Sequence, residues 1–163
     1  MSDTELDASV IHRPAARVIV LCDDRVLLFR ADLGDRQVWI TPGGGLNEGE
    51  SAEDGARREL WEETGLTPEL LGPCVWFRTH VFPWNGSMLS QEEHFFLLTL
   101  GATPDLCFDN WEEIELDQLL EHRWWTVDEI AASPDLFGPR DLALLLEPLL
   151  RGDYPSEPII LGI

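Results

Sequence analysis

The chain has 163 residues, 44% of them hydrophobic and 26% charged, which is enough apolar material for one packed domain and too little length for two. Its 31 acidic residues against 11 basic ones give a formal net charge of −20, which argues against gripping duplex nucleic acid or docking on an anionic membrane, since both need a basic footprint. Every basic residue is an arginine, so chemistry that depends on lysine, such as a P-loop or a Schiff base, is excluded.

Residues 1–13 are polar and predict a flexible arm ahead of a single domain over 14–163; the arm shows no apolar export signal. A hairpin follows, Val18 to Cys22 and Arg25 to Phe29 about an Asp23-Asp24 turn. A short strand over Val38 to Thr41 stops at Pro42 and three glycines. Ser51 to Thr64 reads as a helix: Ser51 suits the N-cap, Glu53 and Asp54 suit the positive end of the dipole, and Gly65 suits the stop. Val75 to Phe82 and Glu93 to Leu100 read as strands joined by a turn at Pro83-Trp84-Asn85-Gly86. A further strand over Arg123 to Thr126 puts Trp124 and Trp125 at alternate core and surface positions. A short helix starts near Val127, and Pro139 opens a last apolar helix from Asp141 to about Leu150. The pattern predicts a mixed α/β domain. Its apolar runs are too short to span a bilayer, and its three cysteines lack a C-x-x-C pair, which points to reduced thiols in the cytoplasm.

The chemistry concentrates in Gly43 to Leu66. Gly43, Gly44 and Gly45 let the backbone come close to a ligand. On the helix, Glu59, Glu62 and Glu63 are spaced i, i+3 and i+4, which gathers them within an arc of about 100°. Three carboxylates repel unless something positive sits among them, and a hard divalent cation meets that need. A solvated acidic face is the alternative. Against it, Glu63 continues the stripe of Ala52, Ala56 and Leu60, beside the core edge where an unpaired carboxylate is costly. Spacing alone leaves both readings open.

The same segment resembles the Nudix box, G-x5-E-x7-R-E-U-x-E-E-x-G-U with U a bulky aliphatic residue. Gly44, Glu50, Arg58, Glu59, Leu60, Glu62, Glu63, Gly65 and Leu66 fill every defined position. The resemblance implies an α/β/α sandwich around a mixed sheet. It also implies a hydrolase that cuts a diphosphate linkage in a nucleoside diphosphate joined to another group. Carried over by residue, it implies that Glu59, Glu62, Glu63 and the Gly43 carbonyl hold Mg²⁺ or Mn²⁺. Glu50 and Arg58 become an ion pair that orients loop and helix. Glu59 is the in-box candidate for the base. A further carboxylate from a later loop is expected among Glu92, Glu93, Glu112, Glu113 and Glu115, with Glu115 favoured because it leads towards the His122-Arg123-Trp124-Trp125 strand.

For substrate, Arg17, Arg30 and Arg78 lie near strands from which a guanidinium can grip phosphate, and Trp84 can stack a base; surface and turn-anchoring roles are their alternatives. The implied partner is a small-molecule nucleotide, and a homodimer is compatible with the chain. Two rival classes remain in view. A non-catalytic nucleotide sensor on the same fold commonly loses box carboxylates, and this chain keeps them all. A prenyl diphosphate isomerase needs a cysteine in the cleft, and the surroundings of Cys22, Cys74 and Cys107 give it no support.

Overall fold

Strand β1 (Val10–Cys22) organises the molecule because its alternate residues serve two different cores. Ile19 and Leu21 point into one, with Trp76, Phe95 and Leu97; Ala16, Val18 and Val20 point into the other, with Leu27 and Phe29. The computed structural model describes residues 10–69, 71–84, 86–108 and 118–162. After β1 come β2 (Arg25–Asp32), β3 (Gln37–Ile40), β4 (Gly43–Gly45), α1 (Ala52–Thr64), β5 (Cys74–Trp84) and β6 (Ser87–Leu100). β7 (Gln118–Thr126), α2 (Val127–Ala132), β8 (Leu136–Gly138), α3 (Leu142–Leu150) and β9 (Ile159–Ile160) complete the described elements.

The strands form one mixed sheet in the order β8-β3-β2-β1-β6-β5-β9, with β4 also on β1 and β7 also on β2. β1 runs parallel to β6 along its whole length. Its other edge is shared: β2 takes Leu21 and Cys22, and β4 takes Ala15 to Arg17. Helix α1 covers one core through Ala56 and Leu60, while α3 covers the other through Leu142, Leu146 and Leu149. The fold is therefore α/β, with helices on both faces of a mixed sheet.

Local chemistry sets α1. The Ser51 hydroxyl accepts from the Asp54 N–H at 3.1 Å, and Gly65 closes the helix in the left-handed region (φ 77°) with its N–H on the Trp61 carbonyl. Its buried stripe is Gly55, Ala56, Leu60, Glu63 and Thr64.

Several elements depart from the sequence expectation. Val10 to Arg13, expected in the arm, are strand, because β6 offers Met88 to Gln91 as parallel backbone partners. Pro83 and Trp84 belong to β5, paired with Met88 and Ser87, rather than to a turn. The glycines after Pro42 pair with β1 as a strand of their own. Trp125 is buried edge-on to Trp39 and Phe137, and Trp124 packs partly buried on the α1-side core, so both faces of that strand are core. Among the described residues no helix is long and apolar enough to cross a membrane.

Candidate active site

The three glycines of β4 form a partition one backbone thick. Gly43 and Gly45 lie opposite Arg17 and Ala15 of β1. A Cβ on Gly43 would collide with the Ala16 carbonyl oxygen and lie 2.6 Å from Arg17 Cγ, and one on Gly45 would run into the Arg13 guanidinium. Gly44 faces the other way, and a Cβ there would come 2.7 Å from the carboxylate carbon of Glu59. Glycine thus brings guanidinium groups and helix carboxylates close to opposite sides of one strand.

On the helix side, Glu63 is 2% exposed and its Oε1 accepts the Gly43 N–H at 2.6 Å. Glu59 is half-buried against Gly44; desolvation pushes its carboxyl up and neighbouring Glu62 adds to this, while Arg58 opposes. Arg58 is the hub. Its Nε and Nη2 each donate to one oxygen of Glu50 at 2.9 Å, and Nη2 also donates to the Gly45 carbonyl at 2.8 Å. Its Nη1 reaches Glu59 at 3.0 Å and Glu62 at 3.2 Å. The hydrogen bond from Arg58 holds the Glu50 carboxyl below its usual range, and Glu50 also accepts the Asn47 N–H at 2.9 Å. The Glu50–Arg58 pair therefore ties the loop to the helix at both ends.

The donor set suits a hard divalent cation: anionic oxygens on one helix face, one of them desolvated and packed so close to Gly44 that a Cβ there would come 2.7 Å from it. Among the described residues no three acidic, His or Cys side chains already converge as a cage. Arg58 Nη1 lies between Glu59 and Glu62, and Glu63 Oε1 is turned to the Gly43 N–H.

The structure separates the remaining candidates. Arg17 is buried, its Nε on Glu93 and its Nη1 on the Thr41 carbonyl at 2.9 Å. Arg78 is bound to the same Glu93 through Nε at 2.7 Å. Arg30 pairs with Glu121 at 3.0 Å and lines a cleft of about 360 Å³ with Arg36, Trp39 and Leu136. Trp84 is the last residue of β5. Glu92 pairs with His12 at 3.5 Å and is partly exposed. Glu93, considered as a later-loop carboxylate, sits mid-strand in β6 with both oxygens engaged by Arg17 and Arg78. Glu112, Glu113 and Glu115 lie outside the described residues. Sequence reasoning missed the Arg17–Glu93–Arg78 group. Its signal is Gln91 and Glu93 on the alternate positions that continue as buried Phe95 and Leu97.

Residues 11–146 match the family model of the NUDIX domain. The chain belongs to the Nudix hydrolase family. Among curated relatives of this Nudix chain, the RNA pyrophosphohydrolase of Caulobacter vibrioides is 34% identical, with 93% of this chain and 95% of that one aligned. Nudix hydrolase 25 of Arabidopsis thaliana is 27% identical over 73% of this chain and 75% of its own. Solved structures share the fold. A MutT Nudix hydrolase from Burkholderia pseudomallei aligns with TM-score 0.63 at 20% identity, covering 83% of this chain and 97% of that one. An Ap4A hydrolase of C. elegans, in a binary complex, aligns with TM-score 0.60 at 19% identity over 86% of this chain and 98% of its own. By this kinship the chain is a Nudix pyrophosphohydrolase.

At this site Glu50 is bound by Arg58, whereas Glu63 presents its carboxylate at the glycine strand. Glu50→Gln is expected to lower turnover less than Glu63→Gln in protein of equal folded content. Steady-state kinetics on both variants checks this, and an equal or reversed order contradicts the assignment.

Proposed function

We propose that this Nudix hydrolase cleaves a phosphoanhydride bond in a nucleotide or nucleoside diphosphate derivative by attack of water, with Mg²⁺ or Mn²⁺ as its cofactor. The observation that carries this reading is the pairing of α1 with β4: Glu63 oriented by the Gly43 N–H, and desolvated Glu59 packed on Gly44. Glu59, Glu62, Glu63 and the Gly43 carbonyl are the groups to hold the cation. Bound there, the cation supplies neutralisation of phosphate oxygens and acidification of water.

The chain's own groups do the rest. Glu59, whose proton affinity burial raises, is suited to accept a proton from the attacking water. Arg58 keeps Glu59 and Glu62 aligned on the same side of the helix. Glu115 is retained as a proposed second catalytic carboxylate. Arg30 and Arg78 are the arginines proposed to meet phosphate and Trp84 the residue proposed to meet a base; Arg17 is too deeply buried for contact with substrate. The chain's three cysteines are free thiols, in keeping with a cytoplasmic enzyme.

The test is a screen of nucleotide substrates with Mg²⁺ or Mn²⁺, scoring release of phosphate, pyrophosphate or mononucleotide. RNA joins the panel because the Caulobacter relative is an RNA pyrophosphohydrolase. Turnover is expected to vanish on thorough chelation and return with added cation, because the net charge at the site must be offset before a polyphosphate enters. Turnover that survives chelation, or nucleotide binding without product, contradicts the reading.

A further inference from the structure

Glu93 is a carboxylate with no exposed surface, set in β6 on the face where Phe95 and Leu97 build the α3-side core. Its Oε2 accepts from Arg17 Nε and from Gln91 Nε2, and its Oε1 accepts from Arg78 Nε at 2.7 Å and lies 2.6 Å from Arg78 Nη2. Burial alone pushes this carboxyl up; the charges and hydrogen bonds of Arg17 and Arg78 outweigh it and hold it at about 2. For stability by itself such a group is a poor choice, because apolar residues of like volume commonly pack as well or better than a buried ion triad. What the triad supplies is direction: it fixes where each guanidinium points.

The two arms lead to different places. Arg78 runs to β8, its Nη1 beside Gly138. Arg17 runs to the glycine strand: Nη1 donates to the Thr41 carbonyl, its stem lies against Gly43, and Gly43 in turn donates to Glu63. We propose that Glu93 is a positioning residue for the cation site, acting through Arg17 to hold Thr41 to Gly43 where the Gly43 N–H orients Glu63. This rests on the reading of Glu63 as a cation ligand. It gives Arg17 a use other than phosphate binding, and it gives the two arms of Glu93 unequal consequences.

The test measures Mn²⁺ binding to the full chain by calorimetry without substrate, with circular dichroism confirming folded protein. Glu93→Gln keeps size and removes the charge. Arg17→Lys keeps the counter-charge of Glu93, yet an ammonium cannot span Glu93 and the Thr41 carbonyl as the guanidinium fork does. Both are expected to weaken Mn²⁺ binding about tenfold or more, the range for groups that orient metal ligands. The double variant should be no worse than the weaker single, because both act along one path. Arg78→Lys leaves the Arg17 arm intact and should change Mn²⁺ affinity less than about twofold, whatever it does to turnover.

A role in stability alone lowers the melting temperature of all three without moving the Mn²⁺ dissociation constant, and that result overturns the proposal. So does an Arg78→Lys loss as large as that of Arg17→Lys. If Glu93→Gln does not fold, the Arg17→Lys and Arg78→Lys comparison decides by itself. A wild-type chain that binds no Mn²⁺ overturns the cation-site reading and this inference with it, whereas normal wild-type binding with unchanged variants overturns the inference alone.

Discussion

Glu59→Gln is expected to lower turnover of the best substrate by at least about a hundredfold, the lower range for losing a positioned acid–base or charge-stabilising group. The substitution keeps size and helix propensity, so the fold survives. It removes a carboxylate that is packed half-buried against Gly44 and close to Glu62, and with it the proposed cation ligand and proton acceptor. Stability without cation should move the other way. Burial raises the Glu59 carboxyl, so the folded state binds that proton more tightly than the unfolded chain does. The associated stability is fully present below the ordinary carboxylate range and is lost as pH rises through the raised value. The metal-free variant should therefore melt above wild type at neutral pH, with the gap closing in acid. Mg²⁺ should raise the melting temperature of the variant less than that of wild type, since linked stabilisation follows affinity. Near-normal turnover with an unchanged Mg²⁺ response would reduce Glu59 to part of a solvated acidic face.

Gly43→Ala carries the second large effect. Gly43 has φ 151°, and an added Cβ would strike the Ala16 carbonyl oxygen and lie 2.7 Å from Arg17 Cα. Those neighbours are backbone or fixed by strand pairing, so β4 must move instead. The expected cost is on the order of 3 kcal/mol, from strain and overpacking together. A displaced β4 shifts the N–H that holds Glu63, and a misplacement near 1 Å costs about a hundredfold in rate. Gly49→Ala is the matching control. Its φ is 77°, but nothing lies within 4 Å of the added Cβ, so it should lose only about 1–2 kcal/mol to left-handed strain and keep its turnover. Chemical denaturation and kinetics on both variants check the pair; equal losses of turnover would mean that close packing at Gly43 is not what matters.

The features legible in the sequence are those whose causes lie within a few residues. Helix α1 was readable because its cap is Ser51, its stop is Gly65, and its stripe recurs at helical spacing. That spacing also put Glu63 on the buried stripe, where the structure has it. The Glu50–Arg58 pair lies eight residues apart across one loop, and the box pattern already implied it. The β1–β2 hairpin about Asp23-Asp24 was equally local. By contrast, Glu93 meets Arg17 across 76 residues, and only the parallel register of β1 on β6 brings them together. No local pattern encodes register between strands so far apart. The same reason hid β4, whose glycines read as loop until β1 paired with them, and β8 and β9, too short to show alternation. Spacing alone gathered Glu59, Glu62 and Glu63 on α1 and put Glu63 on its buried stripe. The tertiary structure decided which arginine braces the glycine strand, because cross-strand partners are chosen by packing of the whole sheet.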